Sequence, residues 1–318
     1  MKRIVDVATD GLHLFAYRGF LMVEQEREEV GRVALDDIHA VIVHAHGVTW
    51  TCNLVARLAE RGAPIVFCGV NHSPIAVTLP LEGHHAQSAR MWAQWSAPRP
   101  LVKQLWRRIV QAKIGMQGSL LETRGATGAA GFALIARRVR SGDPDNVEAQ
   151  AARRYWPALM GKDFRRDRNE AGANALLNYG YTVMRATAAR AVVAAGLHPT
   201  IGIQHANRGN ALALADDLVE PFRPLVDALV ATVVSEGAVA LDPPLKRRFA
   251  RLIGFDLRFG GEASPVAVAS QRLARSLAGS FELRRPVLEM FDPPTPIEWG
   301  ALTHAEEDEA EWHRMGAI

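Results

Sequence analysis

Apolar and polar residues alternate along the first part of the chain, and glycine-containing turns interrupt the alternation. The ranges 3–8, 12–17 and 20–25 follow this period of two, with turns at Gly11 and Gly19 between them. Alternation on either side of tight turns predicts β-hairpins.

The next stretch continues the strand pattern and adds one helix. Short apolar runs at 40–43, 65–68 and 75–78 predict buried strands. A helix is expected to begin near Thr49 and to end near Gly62. These elements predict a small β-rich domain with one helix packed on it.

From about residue 83 the pattern changes to helical periodicity, in a segment dominated by arginine and alanine. The predicted helices span 86–96, 99–115, 127–139, 145–158, 168–195 and 207–218, with two or three more between 221 and 280. The predicted fold class is therefore α+β. We expect a small N-terminal β-rich domain at residues 1–82 and a larger all-α C-terminal domain at residues 83–318.

The composition of the 318-residue chain is that of an ordinary folded protein, with 48% hydrophobic and 22% charged residues. The sequence has neither eighteen consecutive apolar residues nor a hydrophobic signal core, which predicts a cytoplasmic protein without membrane contact. Cys52 and Cys68 are the only cysteines, so a disulfide framework is excluded. A zinc site built from Cys68 with His72, Cys52, or the pair His44 and His46 is an alternative, which the missing CxxC spacing disfavours.

Basic side chains are unevenly distributed, although the net charge is only +3. Residues 1–82 hold seven Lys and Arg against ten Asp and Glu, whereas residues 99–168 hold fifteen against six. Such a basic segment predicts binding to a phosphate backbone. A solvated arginine-rich helix face is the alternative interpretation of any single cluster.

Three side chains between residues 148 and 220 suit a metal site, namely Glu148, His205 and Glu220. Two carboxylates and one imidazole match the preferences of Mg²⁺ or Mn²⁺, and such an ion can drive phosphodiester chemistry. Each residue also has an ordinary interpretation. An acid in the first turn of a helix is stabilised by the helix dipole whether or not it binds a metal. A lone histidine is usually structural or solvated.

Local signals place the two acids on particular elements. Asp145 and Asn146 are N-cap candidates, which puts Glu148 in the first turn of a helix. Asp217 and Glu220 are three residues apart, so on a helix their carboxylates share one face.

Neighbouring residues are expected to support the site. Asp216 points away from the shared face and should be solvent-facing or capping, while Pro221 interrupts the helix. Asn207 is a candidate cap for the helix after the histidine, and Arg208 is a candidate phosphate contact. Each of these last two also has a plain capping or surface interpretation.

Aromatic and basic residues elsewhere are further candidates. Tyr179 and Tyr181 lie on the long helix before the histidine; burial explains one of them, and a base or phosphate contact is open for the other. Trp92, Trp95 and Trp106 have the spacing of a core or dimer interface, with base stacking as the less favoured interpretation. The candidate DNA-binding residues, some of which could equally form solvated faces, are Arg153, Arg154, Arg208, Arg223, Lys246, Arg247 and Arg248.

Longer motifs surround the candidate ligands. They are NVEAQAARRYW at 146–156, NYGY at 178–181, GIQH at 202–205, HANRGN at 205–210 and DDLVEPFRP at 216–224. Together they resemble the CRISPR-associated spacer-acquisition integrase family called Cas-one (Cas1), in particular its type II branch. The resemblance extends from residue 1 to about residue 286.

The resemblance implies a metal-dependent DNA integrase and endonuclease of CRISPR adaptation. Such an enzyme inserts short foreign DNA (prespacers) into the CRISPR repeat array by transesterification with a DNA 3′-hydroxyl. Glu148, His205 and Glu220 would be its catalytic ligands for Mg²⁺ or Mn²⁺. Other branches have two aspartates where this chain has Asp217 and Glu220, so we expect Glu220 to bind the ion and Asp217 to support it.

The resemblance also implies partners. They are double-stranded DNA as prespacer and CRISPR repeat, a second copy in a homodimer, the small protein Cas-two (Cas2), and the type II effector nuclease. The N-terminal domain would carry dimerisation and partner contacts, and the C-terminal domain catalysis and DNA binding. Two alternatives stay open, a DNA-binding scaffold protein without catalysis and a related transposon-type integrase.

Overall fold

The computed structural model describes residues 3–69, 74–205, 207, 209–238 and 240–303. Within these ranges the N-terminal part holds two four-stranded sheets. Their strands are β1 (Arg3–Val7), β2 (Leu12–Tyr17), β3 (Phe20–Gln25), β4 (Glu28–Ala34), β5 (Ile38–Val43), β6 (Thr49–Trp50), β7 (Ile65–Cys68) and β8 (Pro74–Thr78).

The first sheet has the strand order β1-β5-β7-β8. Its first three strands are parallel, and β8 is antiparallel to β7. Val5 and Val41 pack toward the second sheet, whereas Ile4 and Ile42 belong to the same core as the C-terminal helices. Every residue of β5 is buried, as expected for a strand covered on both faces.

The second sheet has the strand order β4-β3-β2-β6. Two-residue loops join β2 to β3 and β3 to β4, and both have positive φ at their two central residues: Arg18 (47°) and Gly19 (86°), then Glu26 (53°) and Arg27 (73°). Such loops match the right-handed twist of the strands. Only the first contains a glycine, which is why the sequence pattern predicts that hairpin and does not predict β4. The hairpin expected at Gly11 is wrong, because β1 pairs with β5 in the first sheet and β2 belongs to the second.

The predicted helix after Thr49 is confirmed as α1 (Cys52–Glu60). Thr51 caps it, because its hydroxyl accepts a hydrogen bond from the backbone N–H of Leu54 at 3.3 Å. Leu54 and Leu58 are buried in the core between the two sheets.

The C-terminal part is mostly helical, and the predicted α+β class is confirmed. Its helices are α2 (Gln87–Trp95), α3 (Arg99–Thr123), α4 (Gly131–Arg138), α5 (Val147–Met160), α6 (Ala173–Ala194), α7 (Ala213–Val219), α8 (Arg223–Ser235), α9 (Pro243–Arg251), α10 (Val266–Glu282) and α11 (Pro296–Thr303). A short unpredicted hairpin, β9 (Asp256–Phe259) with β10 (Glu262–Pro265), separates α9 from α10. Within the described ranges, no helix combines the length and the apolar character needed to span a membrane.

Helix α6 connects the two parts of the chain. Most of its residues are buried. At Gly180 a Cβ atom would lie 2.4 Å from Val226 Cγ1, so only glycine allows α8 to approach this closely. Near the other end of α6, the Arg190 guanidinium donates to the carbonyls of His39 (2.6 Å) and Arg61 (2.8 Å). Helix α6 therefore fixes the helical part against the N-terminal sheet.

Candidate active site

Glu148 lies in the first turn of α5, as predicted. Asn146 is the N-cap and adopts a left-handed conformation (φ 51°); its side chain accepts from the N–H three residues further on at 3.3 Å. The Asp143 carboxylate accepts from the first two N–H groups of the helix at 2.8 and 3.0 Å. The other predicted cap, Asp145, binds Arg140 instead. Two side chains thus fix the backbone that carries Glu148.

Glu220 directly follows α7 and begins a 3-10 turn, Glu220–Phe222, so the predicted interruption at Pro221 is confirmed. Its side chain is only 5% exposed. The Oε1 atom lies 3.0 Å from Nε of Arg223, which is three residues further on. A buried carboxylate needs such a charged partner to remain ionised.

Lys113, on α3, brings the two acids together. Its Nζ atom lies 2.5 Å from Glu148 Oε1 and 2.6 Å from Glu220 Oε2. The two carboxylates, 72 positions apart in the chain, therefore converge on one cationic atom. The sequence motifs do not include Lys113, although it follows Trp106 by seven residues on an otherwise apolar helix face.

Opposite charges outweigh burial in this cluster. Burial alone would raise the pKa of Glu220, but Arg223 and Lys113 lower it to about 2. Burial alone would lower the pKa of Lys113, yet Glu220 and Glu148 raise it. Glu220 and Lys113 are therefore charged at neutral pH.

His205 is oriented by Asp217, which is fully buried. One Asp217 carboxylate oxygen lies 2.7 Å from His205 Nδ1 and 3.1 Å from its backbone nitrogen. The other accepts from the backbone N–H groups of Ile203 (2.5 Å) and Gln204 (3.2 Å). An Nδ1–H donated to a carboxylate leaves Nε2 as the ring nitrogen that can bind a metal.

His205 is also coupled to the neighbouring acid. The hydrogen bond to Asp217 raises the pKa of His205, burial opposes that rise, and the charge of Glu220 adds to it. The rings of His205 and Trp106 are nearly perpendicular, with 6.2 Å between their centroids. Helix α3 therefore contacts the candidate site through both Trp106 and Lys113.

Asp216 differs from its prediction. Its carboxylate binds the Arg185 guanidinium at 2.6 and 2.9 Å and accepts from Asn210 at 2.7 Å. The expectation that it is solvent-facing or capping is therefore wrong. The residue pattern of α7 alone cannot predict this ion pair, because Arg185 comes from another helix, α6.

Both candidate tyrosines are buried and hydrogen-bonded to acids. The hydroxyls of Tyr181 and Tyr155 both donate to Asp227, the latter at 2.8 Å. The guanidinium of Arg223 lies over the Tyr181 ring, 4.6 Å from its centroid. Tyr181 thus supports the arginine that holds Glu220.

Tyr179 belongs to a separate cluster between the two parts of the protein. Its hydroxyl donates to Asp6 at 2.5 Å, and Lys246 binds the same carboxylate at 3.0 Å. Lys246 therefore has a partner within the chain. On the same helix, Arg248 pairs with Glu236 at 3.0 Å, and Arg247 is half-buried.

For the remaining predicted residues, the structure gives no hydrogen bond or ion pair with Glu148 or Glu220 within the described residues. Arg153 and Arg154 are exposed on α5. The Asn207 side chain accepts from the N–H of Gly209 at 3.0 Å, so it stabilises its own loop, and α7 begins later. Arg208 lies outside the described residues, as does His72 of the zinc alternative.

The tryptophans differ among themselves. Trp92 and Trp95 are exposed on α2, whereas Trp106 is buried.

The donor set fits a hard divalent ion. Two carboxylates converge, and Glu220 Oε2 is a buried oxygen that contacts Lys113 as an ion pair without hydrogen-bond geometry. Within the described ranges, no three His, Cys, Asp or Glu side chains are already arranged around a common metal position. The chemistry of the residues therefore suits Mg²⁺ or Mn²⁺, while Lys113 lies between the two acids.

Fold and site together define an α+β protein with a charged acid cluster inside its helical part. The sequence model described as "CRISPR associated protein Cas1" matches residues 5–243. The chain belongs to this CRISPR-associated Cas1 family, which confirms the resemblance drawn from its motifs. A relative named CRISPR-associated endonuclease Cas1, from Neisseria meningitidis, is 36% identical over 270 residues, which cover 84% of this chain and 88% of the relative.

Solved structures share the fold. A casposase bound to integration product matches with a TM-score of 0.76 at 20% identity, over 91% of this chain and 93% of that chain. A Cas6-RT-Cas1–Cas2 complex matches with a TM-score of 0.72 at 17% identity, over 91% of this chain and 36% of that chain. At these identities the likeness supports the architecture alone.

Proposed function

We propose that the protein is a metal-dependent DNA integrase and endonuclease of CRISPR adaptation, of the type II branch. It inserts prespacer DNA into the CRISPR repeat by attack of a DNA 3′-hydroxyl on a phosphodiester. The observation that carries the proposal is the convergence of Glu148 and Glu220 on one cationic atom. Family membership and the curated relative's name, an endonuclease, support the same reaction class.

Glu148, His205 and Glu220 are the proposed ligands of one Mg²⁺ or Mn²⁺ ion. When bound, the ion stabilises charge on the attacking and leaving oxygens of the phosphodiester. Asp217 holds His205 with Nδ1 protonated, so that Nε2 serves as ligand. Arg223 holds one oxygen of Glu220 in a fixed orientation.

Exposed arginines near the site are proposed to bind the DNA backbone. Arg153 and Arg154 lie on α5, one to two turns beyond Glu148, and both are exposed. Contacts of this kind fix the register of the duplex without reading its sequence. DNA binding should therefore weaken steeply as the salt concentration rises.

The proposed assembly contains a homodimer of this chain joined to Cas2, with double-stranded DNA as substrate. Two structural neighbours, a Cas6-RT-Cas1–Cas2 complex and a casposase bound to integration product, suggest Cas2 and DNA as the partners, while the homodimer is proposed from the family resemblance. The type II effector nuclease is a further proposed partner. Because the substrate is the repeat array, a cytoplasmic location is part of the same proposal.

The test is joining of a short duplex with free 3′-hydroxyls into a supercoiled plasmid that carries a CRISPR repeat, with Cas2 and Mn²⁺ present. Glu148→Gln keeps the shape of the side chain and removes its charge; Glu122→Gln makes the same change at an exposed position on α3. We expect joining by wild type and Glu122→Gln, none by Glu148→Gln, and none after chelation. Equal joining by all three proteins would refute the ligand assignment, and tight DNA binding without joining would favour the scaffold alternative.

A further inference from the structure

Lys113 is an unusual residue for its position. It lies on the face of α3 that carries Trp106, Ile109 and Val110, all of them buried. Its own side chain is 13% exposed. A lone ammonium group in such surroundings costs several kcal/mol unless acids compensate it. The position of Lys113 therefore depends on the two glutamates that it contacts.

The contacts place Lys113 where the proposed ion belongs. Its Nζ atom is 2.5 Å from Glu148 Oε1 and 2.6 Å from Glu220 Oε2. Mg²⁺ binds carboxylate oxygens at about 2.0–2.1 Å. An ion shared by these two carboxylates would occupy the region between the same two oxygens. The ammonium and the ion are therefore mutually exclusive there.

The second oxygen of Glu220 has a separate anchor. Arg223 Nε lies 3.0 Å from Oε1, and the Arg223 guanidinium also rests on the Tyr181 ring. Glu220 can therefore keep its orientation when Lys113 leaves Oε2. Lysine suits the exchange, because its ammonium is a single point charge on a flexible stem.

We infer that Lys113 is a built-in cation that holds Glu148 and Glu220 together in the metal-free protein and is displaced when the divalent ion binds. The inference rests on the proposed function, since it concerns the same ligands. It makes Lys113 a positioning residue that competes with the ion. The protein then binds the ion more weakly than its donor set alone would allow, and the acids do not repel each other while the ion is absent.

The test is titration of the DNA-free protein with MnCl2, with free Mn²⁺ measured by electron paramagnetic resonance. Lys113→Met removes the charge at similar length, and Lys113→Gln is a second neutral variant should the first fail to fold. Lys113→Arg retains the charge. Lys103→Met makes the same change at an exposed position of the same helix, and Glu220→Gln marks binding at the proposed site.

We expect Lys113→Met and Lys113→Gln to bind Mn²⁺ about tenfold more tightly than wild type, because no internal cation has to be displaced. Lys113→Arg and Lys103→Met should remain near the wild-type affinity. The neutral variants should also melt at a lower temperature without metal and gain more from Mn²⁺. Removing a lysine with a purely structural role would not strengthen metal binding.

Two results would overturn the inference, and they can be told apart. If wild type binds Mn²⁺ in a way that Glu220→Gln abolishes, but the neutral variants bind equally or more weakly, only the displacement model fails. If no protein shows Mn²⁺ binding that depends on Glu220, the proposed metal site fails with it.

Discussion

Two buried acids on neighbouring turns, Glu220 and Asp227, have opposite electrostatic behaviour. Glu220 contacts two cations, and its pKa is lowered to about 2. Asp227 accepts from the hydroxyls of Tyr155 and Tyr181, and its pKa is raised to about 6. Burial raises the pKa of both carboxyls. Formal charges in direct contact outweigh burial at Glu220, whereas neutral hydroxyl donors do not outweigh it at Asp227.

Glu220 belongs to the site where we propose that a metal ion replaces an ammonium, whereas Asp227 holds helices together. Around Glu220 the partners are the Lys113 ammonium, which the metal ion is proposed to displace, and the Arg223 guanidinium, which holds the other carboxylate oxygen in place. Around Asp227 the partners are buried phenols on α5 and α6, which hold those helices against α8. A buried carboxylate can thus serve either role, and the side chains that contact it determine which role it has.

The largest expected effect is on catalysis. Glu220→Gln should reduce plasmid joining by more than about a hundredfold, since loss of a direct ligand exceeds the effect of losing a ligand's hydrogen-bond partner. Asp227→Asn should retain joining, because its carboxylate contacts tyrosines rather than the proposed ion. Joining and circular dichroism are measured on both purified variants. Loss of joining in a folded Asp227→Asn protein would show that Asp227 is needed for the reaction as well as for the structure.

The pH dependence of stability should reveal Asp227. Its pKa rises from 3.8 to about 6 on folding, so the folded state binds this proton more tightly than the unfolded state. The resulting stabilisation is complete below the unfolded pKa and is lost as the pH rises through the folded pKa of about 6. Relative to Asp227→Asn, wild type should lose about 2 kcal/mol of unfolding free energy between pH 4 and 6, and about 3 kcal/mol over the whole range from about pH 2 to about pH 8.

Urea unfolding at several pH values measures this difference. Glu122→Gln, which changes an exposed acid on α3, is the control and should show no comparable trend. Parallel pH curves for wild type and Asp227→Asn would contradict the proposed burial effect.

A smaller effect is expected where an acid acts through a histidine. Asp217→Asn removes the charged acceptor of His205 Nδ1, and loss of such a partner typically weakens metal affinity by about 10- to 100-fold. Mn²⁺ titration of the DNA-free protein measures it. Asp216→Asn, which alters the neighbouring pair with Arg185, should have a much smaller effect on affinity; equal losses would point to general damage of α7.

The smallest effect concerns the cap beneath Glu148. Asn146→Ala should lower the free energy of unfolding by about 1–2 kcal/mol, because it removes the cap and places alanine at positive φ. Asn146→Gly loses the same side chain but tolerates that conformation, so its loss should be smaller. Thermal melts compare the two variants, and the reverse order would argue against the left-handed cap.

Sequence patterns predicted the elements better than their partners. The N-terminal hairpin at Gly19, helix α1 and the first-turn position of Glu148 are local, and each follows from residues adjacent in the chain. The strand β4 was missed because its turn uses Glu26 and Arg27, which are not typical turn residues. The β9–β10 hairpin was also missed in a segment expected to be helical.

The candidate ligands were chosen from chain motifs, and their role in metal binding stays a prediction. The sequence predicted Asp217 as a supporting residue beside Glu220 without saying what it supports, and the structure places it against His205. It did not single out Lys113. One feature of the sequence could have indicated it, namely a single lysine on the otherwise apolar face of α3. Lysines usually extend their ammonium groups to solvent, so a lysine at such a position suggests an acidic partner.

The sequence by itself determined the succession of strands and helices and the spacing of the acids, because periodicity, caps and turns act over a few residues. Only the tertiary structure decided which charges meet. Lys113, Glu148 and Glu220 come from three separate elements, and Asp227 meets tyrosines from two other helices. Burial and contact charge set the pKa of each acid, and both depend on how the helices pack.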